Sequence, residues 1–274
     1  MALFTIDPNK CQRDGICVAE CPAKIIELAD DESFPRPIAG AEELCIHCGH
    51  CVTVCPDGAL SLEDMKPEDC PPLRRDQLPG PEQCEHFLRS RRSIRNYKKK
   101  PVPRETLINL IEIARYGPTG HNLQPVHWLV IEQAEEVKRL AGLVADWMRL
   151  MLKEQPKLAQ LFHFERVVAA WDQGSDRILR GAPHLIIAHA QKALGPAQAA
   201  CIITLTYLDL AAPSFGLGTC WAGYFNTAVN LYPPLEQDLK LPKGNQCFGA
   251  MMIGYPKYQY HRLPLRKEPP ITWR

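Results

Sequence analysis

The stretch CIHCGHCVTVCP, running from Cys45 to Pro56, places four cysteines in the spacing C-x2-C-x2-C-x3-C and closes on a proline. The stretch CQRDGICVAECP, from Cys11 to Pro22, repeats it at an offset of 34 residues. Cys11, Cys17, Cys21 and Pro22 thus correspond to Cys45, Cys51, Cys55 and Pro56. Self-similarity at a fixed offset points to a duplicated structural unit. One position breaks the repeat: Asp14 stands where Cys48 stands. Three thiolates at intervals of three residues on a short loop wrap one face of an iron-sulfur cube, and the fourth cysteine points elsewhere.

Over residues 1 to 62 the paired motifs resemble the bacterial two-cluster ferredoxin, in which the fourth cysteine of each run ligates the other cluster. The resemblance implies one 4Fe-4S cluster on Cys45, Cys48, Cys51 and Cys21. It implies a second on Cys11, Cys17 and Cys55, with Asp14 as the candidate fourth ligand. Asp14 has two readings, a carboxylate completing a 4Fe-4S cluster or a bystander beside a three-iron cluster. A carboxylate is a harder ligand than a thiolate, so an Asp14-bound iron is expected to be labile and its cluster to differ in potential from its all-cysteine neighbour. Paired C-x2-C motifs also occur in zinc ribbons. A ribbon explains neither the third cysteine, nor the Cys-Pro ending, nor the duplication.

The other five of the twelve cysteines, Cys70, Cys84, Cys201, Cys220 and Cys247, have no ligand spacing and read as packing or surface thiols. The N-terminal MALFTIDPNK lacks a basic segment followed by an apolar one, so it does not read as a secretory signal and a cytoplasmic location is expected, an anaerobic one given the oxygen lability of such clusters. A formal net charge of +1 gives no electrostatic argument for nucleic acid or membrane as partner. The most apolar segment, Ala197 to Phe225, is interrupted by Gln198, Thr204, Thr206, Asp209 and Pro213, and reads as a buried core helix and not as a bilayer span.

From Met65 to Gln83, five prolines and one glycine predict an extended, stiff connector without helix. Beyond it, QCEHFLRSRRSIRNY has a helical pattern, and Leu107, Leu110, Ile111 and Ala114 recur at helical spacing up to Gly117-Pro118. Residues 127–132, 183–190 and 245–256 read as strands, and residues 134–180 as helical. The expected organisation is α+β, with a small two-cluster domain at 1–64, a linker at 65–83 and a helix-flanked sheet domain at 84–274.

Within 84–274 the segments RRSIRNY, PTGHNLQP and GLGTCWAGYF, in that order, resemble the FMN-dependent nitroreductase family. FMN carries a phosphate dianion and a flat ring, so its site calls for a cationic cluster and polar edge contacts. The resemblance implies that Arg91, Arg92 and Ser93 bind the phosphate and ribityl chain, and that Arg95 lies near the pyrimidine edge of the flavin. It places the turn Pro118, Thr119 and Gly120 against the flavin, with Asn122 and Gln124 offering amides. It sets the backbone of Ala222 and Gly223 at the flavin N5, and either Arg262 or Arg266 at the phosphate. His121 is assigned no role, and Lys98 to Lys100 read as a solvated turn. Gly216 and Gly218 lack the third glycine and the preceding strand of a dinucleotide fingerprint. Trp147, Phe162, Phe164 and Trp171 are candidates for a pocket wall, with core packing the alternative.

Clusters pass single electrons and FMN handles one or two, so the expected function is an oxidoreductase that delivers cluster electrons through FMN to a nitroaromatic, quinone-like or other activated unsaturated small molecule. The family resemblance implies a homodimer with FMN at the subunit interface, the helix around Ala199 to Leu210 contributing. The electron donor is either a partner protein or NAD(P)H. An electron carrier or sensor, and a biosynthetic flavin enzyme of the same fold, are the alternatives.

Overall fold

Each cysteine motif winds into a short helix that starts on a glycine in the left-handed region: Gly15 at φ 69° and Gly49 at φ 73°. A side chain at either position would be strained, which explains the glycines in both copies of the repeat. The computed structural model describes residues 3–30 and 32–274. The first two residues of MALFTIDPNK lie outside the described residues. The chain forms two compact units, Met1–Pro79 with His121–Leu123, and Gly80–Gly120 with Gln124–Arg274.

The first unit contains β1 (Phe4–Ile6), α1 (Ile16–Glu20), β2 (Ile26–Glu27), β3 (Arg36–Pro37), α2 (Ala41–Leu44), α3 (His50–Val54) and β4 (Leu60–Leu62). β1 pairs antiparallel with β4, Phe4 opposite Leu62, and β2 pairs antiparallel with β3. The two helices that carry the repeat, α1 and α3, pack on each other. Phe4, Ile25, Ile26, Val52, Leu60 and Leu62 bury around Cys17 and Cys21. The proline-rich stretch forms two short 3-10 turns, Pro67–Asp69 and Arg75–Gln77.

The second unit begins with α4 (Pro81–Ser90). Contrary to the expectation of no helix before residue 84, Pro81 occupies the first turn, where a missing N–H costs nothing. The Gln83 side chain accepts from the Gly80 N–H at 3.2 Å. α4 also ends earlier than its sequence pattern suggests. Residues 91–97 are extended because Ile94 donates its N–H to Thr219 O at 2.8 Å and Tyr97 bridges to Pro256. Then come α5 (Arg104–Ala114), β5 (His127–Ile131), α6 (Ala134–Glu154), α7 (Pro156–Leu161), α8 (Phe164–Asp172), β6 (His184–Gln191), α9 (Ala197–Ala211), β7 (Gly218–Trp221), α10 (Gly223–Leu231), α11 (Pro233–Asp238) and β8 (Asn245–Gly254). The strands form one antiparallel sheet in the order β5-β6-β8-β7. One core, with Trp147, Met148 and Phe225, and a second, with Leu107, Leu205 and Leu208, both take residues from β6 and β8. Neighbouring residues of the strand β6, Leu185 and Ile186, go to different cores, as the period-two alternation of a strand requires.

The apolar segment 197–225 is therefore not one helix. Pro213 and Gly216, the latter at φ 69°, end the helical run, and a strand and a further helix follow. Among the described residues no helix is long and apolar enough to cross a membrane.

His184 staples the sheet to the segment before α5. Its Nε2 accepts from the Val102 N–H at 2.8 Å and its Nδ1 lies 2.7 Å from the carbonyl of Glu132. The first contact requires a neutral ring with its proton on Nδ1. Burial lowers the pKa of His184 and of His189, which stacks on His127 with ring centroids 5.5 Å apart. With folded-state values depressed, the unfolded chain takes up these protons first as pH falls. The neutral rings' contribution is whole above about pH 6.5 and is lost as pH falls towards the folded-state values. Denaturant unfolding should show stability dropping below about pH 6.5, by no more than about 1.4 kcal/mol per pH unit per histidine. His184→Asn should reduce that slope by one proton's share. An unaltered slope would mean that His184 does not titrate.

Candidate functional site

The cysteines of the first unit sort into two groups that cross between the repeats. Cys21, at the end of the first motif, lines a recess together with Cys45, Cys48 and Cys51 of the second. Burial pushes the Cys51 thiol up to about 11, and neighbouring Cys48, Cys21 and Cys45 add to the effect. Burial likewise raises Cys17, whose charged or thiol neighbours are Asp14, Cys11 and Cys55. Among the described residues no group of three His, Cys, Asp or Glu is arranged to hold a single metal ion. The four thiols that line one recess are the donor set that a 4Fe-4S cluster takes. Asp14 uses Oδ1 to accept the Ile16 N–H at 3.1 Å, at the start of α1. Its second oxygen makes no other hydrogen bond among the described residues. Cys55 Sγ accepts from the Ala59 N–H at 3.3 Å, an interaction of the kind that tunes a sulfur ligand.

In the second unit the residues expected around a flavin divide among three recesses. Arg95 and Gly223 share a cleft of about 410 Å³ with Trp147, Phe162, Phe164, Cys220, Trp221 and Tyr224. Arg91 and Arg92 line another, of about 370 Å³, with Gly216, Gly218 and Thr219. Thr119 and Gln124 line a third, of about 260 Å³, beside Arg115 and Trp128. Arg262 and Arg266 are exposed on the coil after β8, and neither is among the residues lining these three recesses.

Arg91 reaches Asp209 Oδ2 at 3.5 Å, and Asp209 also accepts from the Thr219 hydroxyl. Asp209 is buried on α9, so its charge holds one arginine of the RRSIR segment against β7. Close approach sets the same contact: a Cβ added to Gly218 would lie 2.2 Å from Ile94 Cγ1. On the other side of the strand's end, the Ala222 N–H donates to Ala250 O at 2.9 Å. That amide is therefore committed to the sheet. Gly223, the first residue of α10, is left with the open N–H, as the first residues of a helix are. Of the two amides, only that of Gly223 stays open.

The PTGHNLQP turn is strained. His121, Asn122 and Gln124 have φ of 52°, 52° and 45°. Non-glycine residues in this region collect at functional sites. The Gln124 N–H donates to the Thr119 hydroxyl at 3.0 Å. Asn122, which clusters with the first unit, donates its amide to the carbonyls of Ile46 and His47 at 3.3 and 2.9 Å. Of the four aromatics of 134–180, Trp147, Phe162 and Phe164 line the cleft, whereas Trp171 packs against the core. Sequence reasoning passed over Arg177 and Arg180, which also line the cleft. The signal for them was GSDRILRG, two arginines bracketed by glycines in a polar turn.

The fold and these sites define a redox protein of two modules. Residues 88–255 match the nitroreductase family and residues 9–60 match the 4Fe-4S dicluster domain. The chain belongs to the nitroreductase family and carries a ferredoxin-type 4Fe-4S dicluster domain at its N-terminal side; it is an oxidoreductase. It is 29% identical to the NADH dehydrogenase of Thermus thermophilus over 67% of this chain and 92% of that protein. It is 35% identical to the ferredoxin 7Fe of Hydrogenibacillus schlegelii over 25% of this chain and 82% of that protein. A nitroreductase with bound FMN from Desulfitobacterium hafniense shares the fold at a TM-score of 0.54 and 22% identity, covering 67% of this chain and 93% of its own.

Gly218→Ala should cost about 1–3 kcal/mol by overpacking Ile94. Removing the clash in the double variant Gly218→Ala/Ile94→Ala should recover part of that loss in denaturant unfolding, whereas independent sites would simply add.

Proposed function

We propose that the chain is an iron-sulfur flavoprotein reductase, in which single electrons taken up by the first unit support two-electron reduction of a small molecule in the 410 Å³ cleft. The observation that carries this reading is the conjunction, in one chain, of a four-cysteine recess with an aromatic cleft containing a guanidinium that has no carboxylate partner among the described residues and an open helix N–H. Clusters supply one-electron transfer, and FMN supplies the exchange between single and paired electrons. Cys21, Cys45, Cys48 and Cys51 hold one 4Fe-4S cluster; Cys11, Cys17 and Cys55 hold the other, with Asp14 as fourth ligand through the oxygen not bonded to Ile16. Arg91, Arg92 and Ser93 take the FMN phosphate and ribityl chain. Arg95 offsets negative charge at the pyrimidine edge, and the Gly223 N–H faces N5. Either Arg262 or Arg266 adds to the phosphate site.

A homodimer is part of the proposal. Pro118, Thr119, Gly120, Asn122 and Gln124 belong to a turn whose Thr119 and Gln124 line a recess other than that of Arg95, which suits a turn completing the site of a second copy. Ile202 and Tyr207 on α9 leave apolar surface for such a partner. The acceptor is a nitroaromatic, quinone-like or other activated unsaturated compound; for a nitro group, two electrons and two protons give the nitroso compound and water. A carrier without small-molecule turnover has no use for the cleft. The donor is a low-potential redox protein, with NADH, which the name of the Thermus relative carries, as the competitor.

Anaerobically purified protein is expected to contain about eight irons and one FMN per chain. A reproducible seven, the number in the name of the Hydrogenibacillus ferredoxin, would remove Asp14 from the iron. In the full chain, Cys48→Ser should retain FMN but lose at least about tenfold of the turnover driven by a reduced ferredoxin, a loss of the size seen when a ligand's immediate surroundings are disturbed. NADH or NADPH reducing the flavin of that variant at the rate of catalysis would overturn the cluster route.

A further inference from the structure

The loop between α8 and β6 presents two arginines to the cleft, and one of its own carboxylates ties its backbone. Asp176 Oδ1 accepts the N–H groups of Ile178 and Leu179 at 2.8 and 2.9 Å, and Oδ2 accepts that of Gly181 at 2.8 Å. One carboxylate thus gathers three backbone donors within six residues. Inside this cage Arg180 has φ 59°, a left-handed conformation that costs a side-chain-bearing residue energy and that glycine would adopt freely. Strain persists where surrounding structure enforces it, and the enforced result here is the direction of the Arg180 side chain, into the cleft.

The charge in the cleft is one-sided. Arg95, Arg177 and Arg180 line it and no carboxylate does. Among the described residues none of the three is in an ion pair, whereas Arg91, Arg104, Arg139 and Arg149 all are. Burial raises the Cys220 thiol, and Arg95 and Arg180 both oppose that shift, which sets the two guanidinium groups around one thiol. The remaining wall is aromatic. Phe162 and Phe164 stack with centroids 5.8 Å apart and planes 23° from parallel, and Tyr224 meets Phe164 edge-on at 5.9 Å. Phe162 and Trp221 keep open faces, at 49% and 38% exposure. A flat ring finds stacking surfaces there, and an anionic substituent on it finds uncompensated guanidinium forks suited to carboxylate geometry.

We propose that Arg177 and Arg180 form an anion subsite in this cleft, and that the physiological acceptor is a planar aromatic or quinone-like compound carrying a carboxylate. The proposal rests on the reductase reading for the word acceptor, but the subsite itself is a binding statement. Arg95 serves the flavin ring, whereas Arg177 and Arg180 select the acceptor. Asp176 is a positioning residue that acts through Arg180.

The test uses the full-length holoprotein and a matched pair of probes, 4-nitrobenzoate and 4-nitrobenzamide, equal in size and differing in charge. Binding is read from the flavin visible spectrum, and kcat/KM from anaerobic turnover. The wild type should prefer the carboxylate by at least about tenfold, the scale of one charge-assisted hydrogen bond. Arg177→Gln/Arg180→Gln should bring the binding ratio and the kcat/KM ratio close to one, with FMN content unchanged. Arg177→Gln alone, outside the strained position, should lower the ratio partway. A wild type without preference overturns the subsite, and so does a preference that survives in the double variant. Loss of FMN from the double variant overturns it too, by assigning these arginines to the cofactor. Should neither probe be reduced while arginine-dependent binding of the carboxylate persists, the subsite stands and the reductase reading falls.

Discussion

The second unit depends on one close approach, the segment Arg91–Tyr97 laid against β7. The hydrogen bond from Ile94 to Thr219 and the missing side chain at Gly218 bring two backbones within reach. The Tyr97 hydroxyl then donates to Ile94 O at 2.7 Å, and Lys98 donates its N–H to Tyr255 O, which ties the segment to the chain after β8. An extended chain held in this way distributes its arginines. Arg91 and Arg92 go to one recess and Arg95 to the next. Had the helix α4 continued through RRSIR, as its sequence pattern allows, the three would have turned about one axis and no strand edge would have been met.

Burial of charge keeps this arrangement in place. Asp209, on a helix packed against the sheet, has both oxygens engaged, one by the Thr219 hydroxyl and the other by Arg91. A buried carboxylate without such partners would be costly, so helix, strand and arginine are bound into one decision. The cleft shows the opposite balance: three arginines without an acid among its lining residues. Fold stability favours the first arrangement.

In the first unit the determinant is backbone conformation. Gly15 and Gly49 start α1 and α3 in the left-handed region, and the helices then carry Cys17 and Cys51 inward. The duplicated geometry brings Cys21 to the second motif's cysteines, while Cys17 has Cys11, Asp14 and Cys55 for neighbours. Asp14 fits the repeat locally as well, since its carboxylate bonds to the start of α1, a role that a cysteine at Cys48 fills less well.

Much of this was legible in the amino-acid sequence. The cysteine spacing and its repeat are short-range features, fixed by how a loop wraps a cluster, and so they could be read without coordinates. The strands β5, β6 and β8 announced themselves as apolar runs and the helix α5 by its apolar period, since β6 and β8 are buried over most of their length and α5 buries Leu107, Leu110 and Ala114 on one face. The strand β7 did not, being four residues long and beginning on a glycine that only its contact with Ile94 explains. Nor could the sequence distinguish the amides of Ala222 and Gly223, since the difference between them is a hydrogen bond to Ala250, remote in the chain. Arg177 and Arg180 look like ordinary surface charges until the Asp176 cage and the aromatic wall are seen together. The sequence by itself determined the cysteine repeat, because it rests on local spacing, and the class of the second module through the resemblance of three ordered segments to a known family. Tertiary structure alone decided which arginines are neutralised, which are left bare and which backbone donor stays open, because charge balance and amide satisfaction depend on partners that the chain brings from far away.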